Sequence, residues 1–383
     1  MGILVKPAPI NPLGHEILQA IENPSLDLKQ WRHLARKICS AQFQHNMVFR
    51  RWCESQVVRS APHASSLILH PSSFPSCLPI IAFKESAVCS FRSSRKNPYF
   101  ESSGTTSSGN SSKVSRHRFR SLDLYEASVV EGWKWRLGMR IAKNGSRKTE
   151  GTDVKTAFVG LMPSFDEKPH SSLSCMVDIL MRKFGDGDKF WCMSRGRWNW
   201  NGLRSHLKRI ERRCQSAVLF GTAFGWVHFL DWCGARRLKF QLPPGSLALE
   251  TGGYKGRSRE LSRAELHQSL ARLLDLDRRQ VRGEYSMCEI SSQAYSMTSE
   301  NPESQSAVFR FPPWCRYRVV HPGTSKPVAE GECGVLEILD LANLDSCAFI
   351  RTEDMAISHK DGFELVGRLP RAGLKGCSLA FES

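Results

Sequence analysis

The sequence predicts an α/β protein: a mixed, mainly parallel sheet wrapped by helices, followed by a β-rich C-terminal subdomain. Two patterns carry this. From Leu122 to Tyr285, apolar strand-like runs alternate with segments of helical periodicity. After Ser306 the chain turns to short strands punctuated by Pro and Gly. The composition agrees, since a chain of 383 residues with 41 % hydrophobic and 24 % charged residues buries a substantial core.

In order along the chain, Ile17, Ile21, Leu28, Trp31, Leu34, Ile38 and Phe43 recur at roughly helical spacing, so residues 1–60 form a helical segment. Serines and prolines from Ser60 to Pro79 mark a surface connection, and Ile80 to Phe83 reads as a short strand. Residues 61–305 form the α/β core. Its expected helices are Leu122–Leu137, Ser172–Phe184, Leu203–Cys214 and Ala223–Cys233. Its strands are Ala157–Met162, Ser216–Phe220, Leu247–Glu250 (turned by Gly252-Gly253) and Val281–Tyr285. Ser171 or Ser172 caps one helix, and Ser262 with Glu265 gives the capping-box signature of another. Residues 306–383 hold the strands Ala307–Phe311, Arg316–His321, Gly334–Leu339, Ala348–Thr352 and Phe363–Val366.

Lys plus Arg exceeds Asp plus Glu by 17, which favours anionic partners such as nucleotide phosphates, an acidic carrier protein or an anionic membrane surface. No helix–turn–helix, zinc-finger or aromatic RNP pattern points to nucleic acid. None of the 13 cysteines is arranged as C-x-x-C, so a reduced, cytoplasmic protein is the expectation. Pro7, Pro9 and Pro12 interrupt the apolar start, which does not read as a signal peptide. Ala217 to Ala235 is apolar but contains His228, Asp231, Gly221 and Gly225, and reads as a buried strand and helix rather than a membrane span. His170 beside Ser171 lacks a G-x-S-x-G elbow and does not suggest a hydrolase.

Ser102 to Ser112 consists almost wholly of Gly, Ser and Thr. Such a loop suits polyphosphate, because Gly lets backbone N–H groups converge on phosphate oxygens while hydroxyls add donors without bulk. It is not a Walker A motif, and composition alone favours a flexible Ser-rich linker. The order of residues decides. Phe100-Glu101-Ser102-Ser103-Gly104-Thr105-Thr106 resembles the T-S-G-T-T-G phosphate loop of the adenylate-forming superfamily. Tyr285-Ser286-Met287-Cys288-Glu289 resembles its Y-G-M-T-E segment, Thr352-Glu353-Asp354 its T-G-D segment, and Gly367-Arg368 its later G-R. Within the superfamily the chain is similar to the acyl-protein synthetases, the LuxE-like enzymes of bacterial luminescence operons and their non-luminous relatives. The runs that carry this are Ala82-Phe83-Lys84-Glu85, Leu249 to Gly256, Glu289 to Gln293, Asp340-Leu341-Ala342-Asn343-Leu344 and Leu374 to Leu379.

The resemblance implies an adenylate-forming core lacking the usual C-terminal lid domain, and a two-step ligase using ATP and Mg²⁺. A fatty acid or related carboxylate would attack the α-phosphate, and the acyl-adenylate would pass its acyl group to the thiol of Cys377, for delivery to an acyl reductase. Acceptors on coenzyme A or an acyl carrier protein remain open, as does a degenerate member without activity. By matched position, Ser103, Gly104, Thr105 and Thr106 would hold phosphates and Glu289 would ligate Mg²⁺. Asp354 would bind the ribose, Arg368 ribose or phosphate, and Gly252, Gly253 and Tyr285 the adenine. The sequence departs from the pattern at Ser107, Ser286 and Cys288, and its first lysine after the loop is the distant Lys113. Without the lid and its catalytic lysine, either a basic residue elsewhere would supply that charge or a partner protein would complete the site.

Overall fold

The computed structural model describes residues 11–23, 25–60, 76–102, 114–138, 156–252, 261–297 and 307–369. They fall into two compact units. One comprises Met1–Glu131, Met287–Ser292 and Phe311–Ser383, the other Gly132–Ser286 and Gln293–Arg310. The N-terminal helices and the C-terminal strands thus belong to one unit.

Helix α1 (Pro12–Glu22) is capped by Asn11, whose side chain accepts the Gly14 N–H at 2.7 Å. Helix α2 (Leu28–His45) opens with an Asp27/Gln30 capping box. Its periodic apolar positions, Trp31, Leu34 and Ile38, are buried as expected. The same face also buries Gln42, and Asn46 just beyond the helix is buried too. Gln42 donates to the carbonyls of Asn343 at 2.8 Å and Leu344 at 3.1 Å, and accepts from the Ala348 N–H at 3.0 Å. Asn46 donates to the Ser346 carbonyl at 2.9 Å, and the Trp31 indole to the Trp314 carbonyl at 3.0 Å. Buried amides left unmade would cost about 1–3 kcal/mol each, so these contacts lock helix to loop.

Helix α3 (Met47–Ser60) follows, then strand β1 (Leu78–Pro79) and the one-turn helix α4 (Ala82–Glu85). The sequence predicted a strand over Ile80–Phe83. Instead the backbone turns there, with the Lys84 N–H bonded to the Ile81 carbonyl at 2.9 Å. Strands β2 (Tyr99–Glu101) and β3 (Arg116–Arg118) form an antiparallel ribbon that the sequence did not suggest. It is followed by α5 (Asp123–Trp133) and a π-helical turn over Lys134–Gly138.

The second unit is the doubly covered sheet. Its strands are β4 (Thr156–Pro163), β5 (Gly185–Ser194), β6 (Arg197–Trp198), β7 (Ala217–Thr222), β8 (Leu247–Thr251), β9 (Val281–Tyr285), β10 (Ala294–Met297) and β11 (Val308–Arg310). In space they run β11-β10-β9-β8-β7-β4-β5-β6. The five from β9 to β5 are parallel, and the edges are antiparallel. The helices are α6 (Ser172–Phe184, capped by Ser171), α7 (Trp200–Arg212), α8 (Ala223–Gly234) and α9 (Arg263–Leu274, with the Ser262/Glu265 capping box). Alternate residues of β4 divide between two faces. Ala157, Val159 and Leu161 join the core with Leu207 of α7, Trp226 of α8 and Leu270 of α9. Phe158 turns the other way, with centroids 6.1 Å from Trp133 and 6.5 Å from Phe220. A Cβ on Gly221 would stand 2.7 Å from the indole nitrogen of Trp226, which donates to the Leu249 carbonyl at 3.0 Å, so close packing requires glycine there.

The chain then completes the first unit with an antiparallel sheet, β12 (Cys315–Val320), β13 (Cys333–Asp340), β14 (Phe349–His359) and β15 (Gly362–Arg368), to which β1 adds in parallel beside β14. This is the β-rich C-terminal region that the sequence predicts.

Candidate functional site

Glu289 lies on a turn within Met287–Ser292, a segment with no regular structure of its own, so its position depends on side chains from elsewhere in the first unit. Asp340, the last residue of β13, accepts the N–H groups of Ser291 and Ser292, both at 2.9 Å, and the Ser292 hydroxyl at 2.7 Å. Asn343 donates to the Glu289 carbonyl at 2.8 Å and to the Cys347 carbonyl at 3.1 Å. The His117 ring, wholly buried, meets the Cys288 carbonyl through Nδ1 at 3.0 Å and Ser346 through Nε2 at 2.8 Å. Nδ1 must carry the proton to satisfy a carbonyl, so Ser346 donates to Nε2. The Trp314 indole donates to both the Ser128 and Ser292 hydroxyls, at 3.1 Å and 3.0 Å.

Glu289 is itself only 5 % exposed. Burial pushes its pKa up; the Ser115 hydroxyl and the Lys84 ammonium oppose this, and the carboxylate of Asp354 adds to it. Lys84 stands on α4, half-buried. A buried carboxylate with one cation and one further carboxylate in its field is an arrangement that a divalent cation would relieve. Among the described residues no cluster of three or more His, Cys, Asp or Glu could hold a metal alone. Magnesium bound through one or two carboxylates plus phosphate oxygens is compatible with that.

Asp354 and Arg368 face each other across the β14–β15 register, with Arg368 Nε 3.1 Å from the Asp354 carboxylate. The arginine side chain is 60 % exposed and the aspartate 12 %, so the pair presents its cationic end to solvent. Thr352 holds the strand in place. Its hydroxyl donates to the Leu336 carbonyl at 2.7 Å and accepts the Asp354 N–H at 3.0 Å.

Of the residues singled out from the sequence, Glu289, Asp354 and Arg368 therefore come together in one unit. Gly252 and Tyr285 belong to the other. Gly252 directly follows β8 with φ +63°, a left-handed conformation that explains a glycine there. Tyr285 ends β9, buried, with its ring edge-on to Phe309 at 6.2 Å. Ser103, Gly104, Thr105, Thr106, Gly253 and Cys377 lie outside the described residues. The base of the Ser/Gly loop is described, and it is closed: the Ser102 N–H donates to the Ser115 carbonyl at 3.0 Å, and the Ser115 N–H to the Ser102 hydroxyl at 3.0 Å. His117 escaped sequence reasoning altogether. Asp340, Asn343 and Lys84 stood in runs that carried the family resemblance but had been given no role.

The second unit holds a further buried acid. Glu284 lies between Thr251 and Tyr295 in the sheet register and accepts the Thr251 hydroxyl. Burial pushes its carboxyl up to about 7, against the pull of Thr251 and Ser286 and with a contribution from Glu250.

Comparison with known proteins follows the same residues. The family model for acyl-protein synthetase, LuxE, matches residues 199–383, a span that includes Glu289, Asp354 and Arg368. Over 189 residues the chain is 28 % identical to a protein of Aliivibrio fischeri named long-chain-fatty-acid–luciferin-component ligase; the match covers 46 % of this chain and 48 % of that protein. Its namesake from Vibrio harveyi is 26 % identical over 190 residues, with the same coverage. The match thus spans about half the length of these curated relatives. In architecture, the chain is similar to a 2-hydroxyisobutyryl-CoA ligase in an open conformation with 2-HIB-AMP and CoA, at a TM-score of 0.58 and 12 % identity, covering 89 % of this chain and 75 % of that one. The postadenylation state of the same ligase gives 0.57 at 12 % identity, covering 92 % and 67 %. At that identity the likeness shows the fold alone, which this chain shares with those ligase structures. Residues 199–383 are thus similar to the acyl-protein synthetase LuxE family over just under half of the chain.

Proposed function

We propose that this protein is an ATP-dependent acyl-protein synthetase for a long-chain carboxylic acid. The acid's carboxylate oxygen bonds to the α-phosphorus of ATP as pyrophosphate leaves, and a cysteine thiolate then attacks the acyl carbon as AMP leaves. The observation that carries the reading is the Glu289 turn, clamped by Asp340, Asn343 and His117 in the same unit as the Asp354–Arg368 pair.

Glu289 is assigned to Mg²⁺, which when bound would neutralise phosphate charge at the reacting centre. Lys84 shares the field of that carboxylate and is the candidate for the cation that the Ser/Gly loop lacks. Ser103, Gly104, Thr105 and Thr106 are assigned to the phosphates, Asp354 to the ribose hydroxyls and Arg368 to ribose or phosphate. Gly252, Gly253 and Tyr285 are assigned to adenine. The proposed acceptor is Cys377, from which the acyl group would pass to a reductase or carrier partner. All twelve described cysteines are free thiols, which suits a reducing compartment such as the cytoplasm.

Incubation with ATP, Mg²⁺ and a radiolabelled fatty acid, followed by denaturing electrophoresis and neutral hydroxylamine, tests this. Hydroxylamine-labile label on the wild type, absent from Cys377→Ala, is the expected result. Pyrophosphate exchange without labelled protein would move the acceptor to coenzyme A or a carrier protein, and the absence of exchange across a panel of acids would overturn the enzyme reading. Glu289→Ala should abolish exchange while leaving a folded protein.

A further inference from the structure

In the second unit, helices α7 and α8 share an outer surface of unusual chemistry. Three half-buried indoles form a ladder on it: Trp198 stacks on Trp200 with centroids 4.6 Å apart and planes 13° from parallel, and Trp200 on Trp232 at 6.1 Å and 28°. Phe229, fully buried, supports the ladder from below at 5.8 Å from Trp200.

Positive charge surrounds the indoles. Between Arg195 and Lys239 the chain carries ten Lys and Arg against two acids, Glu211 and Asp231. Glu211 is engaged by Lys208 at 2.6 Å and by the Gln241 N–H at 2.6 Å. The Arg236 guanidinium lies over Trp232 at 5.0 Å, and the Lys208 ammonium over Phe240 at 5.2 Å. Lys208 also donates to the Lys239 carbonyl at 3.5 Å, which ties the exposed side of α7 to the segment after α8. That side of α7 presents Arg204, Lys208 and Arg212, while Leu203, Leu207 and Ile210 face the core.

The tip between β5 and β6 adds to this. Arg195 (φ 49°) and Gly196 (φ 73°) both have the left-handed conformation of a tight hairpin turn, where Asn or Gly is the unstrained choice. The tip nevertheless exposes an arginine, with a second, Arg197, directly before Trp198. Glu167 accepts the Ser194 hydroxyl at 2.6 Å and the Arg195 N–H at 3.1 Å, and so braces the tip.

We propose that this surface docks on an anionic lipid bilayer, with Arg195, Arg197, Arg204 and Arg212 among the lipid phosphates and the edges of Trp198, Trp200 and Trp232 at headgroup depth. Indoles favour that depth because the ring body is apolar and its N–H polar, and arginine suits phosphate through its planar fork of donors. Charge complementarity to the negative leaflet supplies the attraction. Single-stranded nucleic acid fits less well, since bases need free ring faces to stack on and the ladder turns its faces to one another. No helix of the described residues is long and apolar enough to cross a membrane, so attachment would be peripheral. This inference stands on the surface alone and does not require the ligase reading.

The test is cosedimentation of the full chain with vesicles of phosphatidylcholine alone, or of roughly two parts phosphatidylcholine to one of phosphatidylglycerol. About tenfold more protein should sediment with the anionic vesicles, and raised salt should release it. The double variant R204E/R212E, at exposed positions and checked for an unchanged thermal melt, should lose that difference, and Trp198→Ala should weaken binding at every salt concentration. Equal binding to both vesicle types, no binding, or undiminished binding by R204E/R212E overturns the proposal. So does binding of a purified acidic acyl carrier protein to this face where vesicles do not bind, which would make the surface a protein interface.

Discussion

Asn343 donates its side-chain amide to the main-chain carbonyl of Glu289 at 2.8 Å, so that the acid's backbone is held by a residue 54 positions further along the chain. Asp340, three residues earlier, holds the two N–H groups on the other side of the same turn. Removing that carboxylate leaves buried donors unmade. Asp340→Ala should lower the unfolding free energy by about 2–4 kcal/mol. An unchanged urea midpoint would show that the turn holds its shape without the clamp.

His117 should make the first unit acid-sensitive. Burial pushes its imidazole down to about 3 from an ordinary value of 6.5, with the Cys288 carbonyl contact opposing the shift. The folded state thus prefers the neutral ring. Its contribution is fully present above pH 6.5 and is lost as pH falls towards 3, by up to about 5 kcal/mol at the low end. Stability measured by denaturant between these limits should fall with acid in the wild type and much less in His117→Gln. Parallel curves would mean that His117 does not govern the slope.

Glu284 should act in the opposite sense. Its folded carboxyl binds a proton more tightly than the unfolded one, with a value of about 7 against 4.5. The stabilisation is fully present below pH 4.5 and lost as pH rises through 7, on the order of 3 kcal/mol in all. Glu284→Gln, which keeps the shape without the charge, should therefore be more stable than wild type at pH 8 and close to it at pH 4. A variant equally stable at both would refute this.

Thiol reactivity should divide the cysteines. Cys214 and Cys333 are exposed, whereas burial pushes Cys39 and Cys192 up to about 12 and Cys288 well above its ordinary range. Mild alkylation of the native protein, read by peptide mass spectrometry, should modify Cys214 and Cys333 and spare Cys288. Fast modification of Cys288 would place that thiol in an open, polar setting instead.

The sequence disclosed the parallel strands and their helices because their apolar residues recur with a clear period. Ser171 and Ser262 were readable as caps for the same local reason, and both do cap. Strand β5 was not readable. Its opening Gly185-Asp186-Gly187-Asp188 is poor strand material, and it is held by parallel pairing with β4, a contact between distant segments. The two-residue strand before α4 fails for a related reason, since it exists through its partner β14. At the candidate site, ordered motifs singled out Glu289, Asp354 and Arg368, which lie in one unit. They could not identify His117, whose value lies in a carbonyl 171 positions away. Burial of Gln42 was equally hidden, because a glutamine on an otherwise apolar helix face looks like an interruption until its partners at Asn343, Leu344 and Ala348 are seen.

The partners of Gln42 and Asn46 also set an order of events during synthesis. Both residues leave the ribosome early, yet the carbonyls that satisfy them are at positions 343 to 346. The segment Gly132–Ser286, most of the second unit, emerges in between. At ordinary elongation rates the interval is on the order of ten seconds or more, long enough for that intervening unit to fold first. The N-terminal helices would wait through it with these polar anchors unfilled.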